Sequence, residues 1–144
     1  MPQVTASCLC GDIRVTASGE PYRVGLCHCF DCRKHHGALF FAAAMFPEDA
    51  VTISGDTNHF KGRHFCPRCG SSMFNRVDDE VELHLGALDE QPHGRHAGGV
   101  GQRLLDRFEP TYECWAIRRE AWLPPFPLRF RYDRNRDAGG RRDG

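Results

Sequence analysis

No stretch of this sequence is long and apolar enough to cross a bilayer. The longest apolar run, Ala38 to Phe46, has nine residues, where a membrane-spanning helix takes about 20. Neither sign of charge dominates: 19 Lys and Arg stand against 19 Asp and Glu, so no global field draws the chain to nucleic acid or to an anionic membrane. The amino terminus, MPQVTASCLC, lacks the basic-then-apolar pattern of an export signal. These absences predict a soluble, unexported, cytoplasmic protein with no membrane partner and with no charge excess that calls for nucleic acid. No repeat of fixed period is present, and 144 residues fit one domain with its own core.

Cysteine is what the sequence has in excess, with eight in 144 residues. In a secreted chain that number suggests a disulfide framework. Here no export signal is visible, the chain is long enough to build a core, and the cysteines come in tight clusters. Thiolates held for metal in a reducing compartment are therefore favoured over disulfides.

Short alternating runs bounded by Gly, Pro, Asp and Ser predict a multi-stranded antiparallel protein. Ile13, Val15 and Ala17 alternate with Arg14 and Thr16. Val51 and Ile53 lead into Ser54-Gly55-Asp56, and Asn58 to Lys61 is a further extended piece. Val81, Leu83 and Leu85 alternate with Glu82 and His84, which predicts a strand with one wet face. Phe40 to Phe46, stopped by Pro47, lacks alternation and predicts a segment running through the interior, as a strand or a short buried helix. Only Asp31 to His36 reads as helical, closed by Gly37 as a left-handed cap. Gln91 to Gly101 reads as a mobile surface loop. Beyond Pro127 the chain is Arg-rich and poor in large apolar residues, so residues 128–144 are expected to form a flexible tail after a zinc-binding domain over 1–127.

Seven cysteines fall in three groups: Cys8-x-Cys10, Cys27-x-Cys29-x-x-Cys32 and Cys66-x-x-Cys69. Phe65-Cys66-Pro67-Arg68-Cys69-Gly70 has the composition of a zinc-ribbon knuckle, with Pro67 setting the turn and Gly70 accepting the positive φ after it. A structural zinc wants four thiolates, so this knuckle needs a second pair. Cys8 and Cys10 are the preferred pair, because residues i and i+2 of an extended segment share a side and Gly11 turns the chain. Two cysteines of the middle group are the alternative.

With the preferred pairing, Cys27, Cys29 and Cys32 remain together as candidate catalytic ligands. Three protein ligands on zinc are the pattern of a reactive site, whereas four close it. Three thiolates leave Zn²⁺ net negative and a modest Lewis acid, better suited to holding an incoming thiol as thiolate than to activating water. Two zinc ions per chain are thus expected, one structural and one catalytic. Cys114 is the eighth cysteine; it either closes the middle site or is a buried strand residue. His28, between two ligands, should face away from their metal, while His35 and His36 are near enough to compete as ligands or to carry a proton. Arg33 and Lys34 are candidates to meet the carboxylates of a small anionic thiol.

The segments CLCGDIRV, CHCFDCRKHHGA, FCPRCGSSMF and HLGALDE, with Trp122, resemble the glutathione-dependent formaldehyde-activating enzyme family, which also contains centromere protein V. The resemblance runs from about Ser7 to Trp122. It implies a mainly β, Mss4-like fold of several small antiparallel sheets with zinc-ribbon-like knuckles and one or two short helical turns. It further implies a structural zinc on Cys8, Cys10, Cys66 and Cys69, and a substrate-accessible zinc on Cys27, Cys29 and Cys32. The implied activity is that of a carbon–sulfur lyase: joining glutathione to formaldehyde as S-hydroxymethylglutathione, or the reverse. The alternative function is a non-catalytic, zinc-stabilised binding module for protein or nucleic acid.

Overall fold

The computed structural model describes residues 2–89, 107–136 and 141–143, the last for backbone alone. The fold is mainly β, as the alternation predicts. In chain order the first strands are β1 (Gln3–Ser7), β2 (Arg14–Ser18), β3 (Arg23–Cys27), β4 (Phe41–Pro47), β5 (Val51–Ser54) and β6 (Asn58–Phe60). They are followed by β7 (Arg63–Phe65), β8 (Ser72–Val77), β9 (Glu80–His84), β10 (Tyr112–Cys114), β11 (Phe130–Tyr132) and β12 (Arg141–Asp143). A single α-helix, α1 (Phe30–His36), lies among the described residues. None of them forms a helix long and apolar enough to cross a membrane. The predicted loop Gln91 to Gly101 lies outside the described residues.

Two compact units share these elements, Met1–Tyr22 with Ala44–Glu109, and Arg23–Ala43 with Pro110–Gly144. In the first, β2 lies between β1 and β5 and is antiparallel to both, so Val15 is opposite Ala6 on one side and Ile53 on the other. Period-2 alternation decides the faces: Val4, Ala6, Val15 and Ala17 are buried, while Gln3, Thr5 and Arg14 are exposed. A second antiparallel run orders β9, β8, β7 and β6, and buries Met73, Phe74, Val81 and Leu83.

The wet face expected on β9 is not wet at His84, which is buried. Its Nε2 pairs with Asn75 Oδ1 at 3.1 Å and its Nδ1 with Ser72 Oγ at 3.0 Å, while Asn75 Nδ2 donates to Glu82 Oε2 at 3.2 Å. A polar ring with both nitrogens bonded loses little on leaving water. The apolar run through Phe46 is a strand and not a helix, and Ala44 and Phe46 have no exposure at all.

At the edge of this run His59 is opposite His64. Their rings stack at 4.9 Å, His64 also stacks on Phe74 at 4.6 Å, and its Nδ1 pairs with Thr57 Oγ1 at 2.8 Å. Burial, then the neighbouring His59 and Arg76, hold the His64 pKa below its usual 6.5. The unfolded chain therefore binds more protons just below that value, so stability is complete above about pH 6.5 and falls as pH drops through the folded pKa. His64→Gln is expected to flatten this dependence in thermal unfolding between pH 7 and 5; an unchanged profile would assign it elsewhere.

In the second unit β10 departs from the antiparallel pattern and runs parallel to both β3 and β11. β3 and β10 come from distant parts of the chain, and residues 115–129 are a connection long enough to cross over between β10 and β11, so no hairpin forces the strands to reverse direction. Tyr112 is opposite Gly25, and a Cβ there would sit 2.2 Å from the Tyr112 ring. Gly25→Ala should lower stability by about 1–3 kcal/mol through overpacking. Thermal unfolding would report it, and adding Tyr112→Ala should remove the clash so that the two changes are non-additive.

The stretch expected as a frayed tail includes Leu128, which is buried, and β11. Arg134 lies over the Trp115 ring at 5.8 Å and Arg136 over Tyr112 at 5.2 Å. Trp115 Nε1 donates to Asn135 Oδ1 at 2.8 Å. Arginine stems and guanidinium planes cover aromatic faces well, which supplies the packing that so few aliphatic residues do not.

Candidate metal centres

Two hairpin knuckles bring four cysteines together in the first unit. At one, Cys8 N–H donates to Ile13 O at 3.1 Å, Gly11 N–H donates to Cys8 O at 3.1 Å, and Gly11 turns with φ +86°. At the other, Cys66 N–H donates to Ser71 O at 3.0 Å, Gly70 N–H donates to Cys66 O at 2.8 Å, and Gly70 has φ +78°. Glycine is needed at both because a side chain at such φ is strained. Backbone N–H groups also point at sulfur, Ile13 N–H at Cys8 Sγ (3.1 Å) and Cys69 N–H at Cys66 Sγ (3.5 Å). Leu9 N–H joins the two knuckles by donating to Ser71 Oγ at 2.9 Å.

The four sulfurs of Cys8, Cys10, Cys66 and Cys69 lie within 4.8 Å of one another. Cys8 Sγ is 3.6 Å from Cys10 Sγ, and Cys10 Sγ is 3.7 Å from Cys66 Sγ. A zinc tetrahedron with Zn–S bonds of ~2.3 Å has edges of about 3.8 Å, so this spacing fits the ion. The titration of the group fits as well. Hydrogen bonds from the Ser71 hydroxyl and backbone outweigh burial and, with the Cys10 N–H and the Cys66 thiol, lower Cys69 to about 5. Burial pushes the Cys8 thiol up, but the Ile13 N–H and the adjacent Cys10 and Cys66 thiols outweigh it and leave Cys8 lowered. At Cys10 the Asp12 N–H favours the thiolate, yet burial and the three neighbouring thiols raise it to about 12. Four thiols so crowded cannot all ionise unaided, and a divalent cation removes that conflict.

The second group, Cys27, Cys29 and Cys32, is built by the end of β3 and the start of α1. Cys29 is the N-cap of α1, with φ −61° and ψ 152°, and its Sγ accepts from Cys32 N–H at 3.2 Å. Gly37 closes the helix with φ +61° and donates to Arg33 O, as the sequence predicts. The three sulfurs also lie within 4.8 Å of one another, with Cys29 and Cys32 only 2.7 Å apart. Hydrogen bonds with Cys29 and Cys32, then burial, push the Cys27 thiol upward. All eight cysteines are described and none is in a disulfide. The all-sulfur donor sets suit a thiophilic ion such as zinc at both places, and at the trio the Cys29 and Cys32 sulfurs, 2.7 Å apart, would have to separate to reach the ~3.8 Å edge of a zinc tetrahedron.

Among the described residues no fourth Cys, His, Asp or Glu joins this trio. Cys114 is in register with Cys27 across the parallel β3–β10 pair, and its carbonyl accepts from His28 N–H at 3.1 Å. His36 stacks on Phe41 at 4.8 Å, and His35 packs edge-on against His36 at 4.9 Å. Arg33 Nη2 donates to Glu120 Oε1 at 2.7 Å, and its guanidinium lies over Phe30, whereas Lys34 is exposed.

Sequence spacing did not reveal the polar group behind the trio. His28, between Cys27 and Cys29, is fully buried, as is Glu113. His28 Nε2 is 2.8 Å from Glu113 Oε2, and Arg131 Nε donates to Glu113 Oε1 at 2.9 Å. Burial favours the neutral form of Glu113, but its bonds to His28 and Arg131 outweigh this and hold the carboxyl below the usual range.

The profile of a family described as glutathione-dependent formaldehyde-activating enzyme matches residues 3–117, which include both cysteine groups. A protein of Pyrenophora teres f. teres, provisionally named a glutathione-dependent formaldehyde-activating enzyme, is 27% identical over 135 residues, covering 81% of this chain and 70% of its own length. Similarly named proteins of Fusarium vanettenii and Aspergillus terreus are 23% and 27% identical over 125 and 115 residues. Those matches cover 76% and 69% of this chain, and 67% and 60% of the relatives' lengths.

Proposed function

The chain belongs to the glutathione-dependent formaldehyde-activating enzyme family, and on that premise we propose that it is a zinc-dependent carbon–sulfur lyase. It joins a small, glutathione-like thiol to formaldehyde or a similar aldehyde, or releases the two from their adduct. Two zinc ions per chain are assigned to it, a structural one on Cys8, Cys10, Cys66 and Cys69 and a catalytic one on Cys27, Cys29 and Cys32. Residues 1–127 carry both cysteine groups, β11 packs onto them through Arg131, and the protein works in a reducing compartment such as the cytoplasm.

The observation that carries this reading is the difference between the groups: four sulfurs converge in one and three in the other. A tetrahedral ion bound by three protein sulfurs takes its fourth ligand from outside the protein, whereas four sulfurs saturate it. Bound there, zinc supplies a lowered pKa for an incoming thiol and a fixed point for its sulfur. Cys27, Cys29 and Cys32 orient that point, and their negative charges leave little Lewis acidity for activating water. In the forward direction a sulfur–carbon bond forms, the carbonyl π pair moves to oxygen, and the thiol proton ends on that oxygen as a hydroxyl. Of the two cations proposed for the substrate carboxylates, Arg33 is engaged by Glu120, so Lys34 carries more of that role.

Formaldehyde and glutathione equilibrate with their adduct unaided, so the test is exchange spectroscopy by NMR. The zinc-loaded chain is expected to raise the exchange rate in proportion to its concentration. No acceleration over zinc-free buffer would overturn the assigned activity.

A further inference from the structure

We propose that His28, fixed by Glu113 and Arg131, is a positioning residue that sets the relative orientation of the Cys27 and Cys29 sulfurs. The inference rests on the assignment of a metal to that trio. His28 is one residue from each of the two ligands, and in extended chain successive side chains take opposite sides. Cys27 and Cys29 thus share one side and the imidazole takes the other, so fixing the imidazole restrains the backbone at His28, and a twist of that backbone would turn the two sulfurs relative to each other.

That imidazole is held on several sides. Its Nε2–H donates to the ionised Glu113 carboxylate, and Nδ1 has no hydrogen-bond partner among the described residues. The rings of Phe40 and Phe126 lie 5.8 and 6.5 Å away. The backbone N–H of His28 is bonded to Cys114 O. Glu113 is itself fixed, because Arg131 is directly opposite it on β11, donates to Oε1, and also donates to Phe126 O. Apolar side chains of the same volume would hold the strands together as well as or better than a buried ionic group, but they have no directional preference. A hydrogen bond does, and partners behind a metal ligand set commonly tune its affinity about 10–100-fold.

The experiment uses the full chain loaded with cobalt(II), whose sulfur-to-metal charge-transfer bands report ligand geometry, together with the rate of cobalt release to a chelator. Wild type is expected to hold two cobalt ions and release them in two phases. Glu113→Gln and Arg131→Met should speed the phase assigned to the trio about tenfold or more and shift its bands, leaving the other phase unchanged. Arg131→Lys should recover part of the loss. Arg131 is partly exposed, so its variants keep the test available if Glu113→Gln does not fold. Two ions with unchanged release and bands in folded variants would overturn the positioning role alone. Both phases accelerating together would make the group merely structural and overturn it too. A single ion in wild type would overturn the metal assignment beneath it.

Discussion

Cys66→Ser is expected to yield a chain that does not hold its fold, with the loss seen as collapse of the cooperative thermal transition and of soluble yield. Cys66 is fully buried, and its sulfur is 3.7 Å from that of Cys10. On the proposed assignment, the ion is what ties the two knuckles together. Structural zinc supplies about 10–16 kcal/mol of apparent folding free energy in small zinc peptides, against about 5–15 kcal/mol for the net stability of a whole domain. Loss of most of that binding energy is as large as the whole reserve. A chelator strong enough to strip both ions should reproduce the collapse in the wild type, and a transition that survives both treatments would show that the tetrad is not structural.

Cys32→Ser should have the opposite signature: a folded chain without the activity. Cys32 lies in the first turn of α1, beside its N-cap, and a serine there keeps the volume and the N–H that bonds to Cys29. The variant is expected to bind one zinc in place of two, to lose thiol binding, and to slow adduct exchange by a factor on the order of 10³ or more. That size follows from positioning, since holding one reactant beside another is worth effective molarities of ~10⁵ M and above. Near-unchanged circular dichroism would separate this loss from misfolding. Full metal content with unchanged exchange would remove Cys32 from the site.

What could be read from the sequence was local. A knuckle is specified by cysteine spacing with its turn residues, so Cys66, Pro67, Cys69 and Gly70 could be assigned from six consecutive positions, and Gly37 marked the end of α1 in the same way. Alternation placed β2, β5 and β9 because a half-buried strand repeats every two residues. What failed depended on partners far away in sequence. His84 looked exposed because its bonds to Asn75 and Ser72 exist only once β8 and β9 pair. Glu113 and His28 are 85 residues apart, and they meet because β10 lies parallel to β3, an arrangement that no hairpin signal announces. Arg131 sits in a stretch whose composition resembles a disordered terminus. Its order comes from opposing Glu113, and no compositional measure contains that pairing.

The contrast between four sulfurs and three is most directly tested by ¹¹³Cd NMR of the cadmium-loaded chain titrated with glutathione. Two resonances are expected, one in the region of four-sulfur coordination that stays fixed throughout, and one at a three-sulfur position that moves toward the first as thiol is added. Two resonances in the four-sulfur region before any thiol is present, neither moving on titration, would contradict the account.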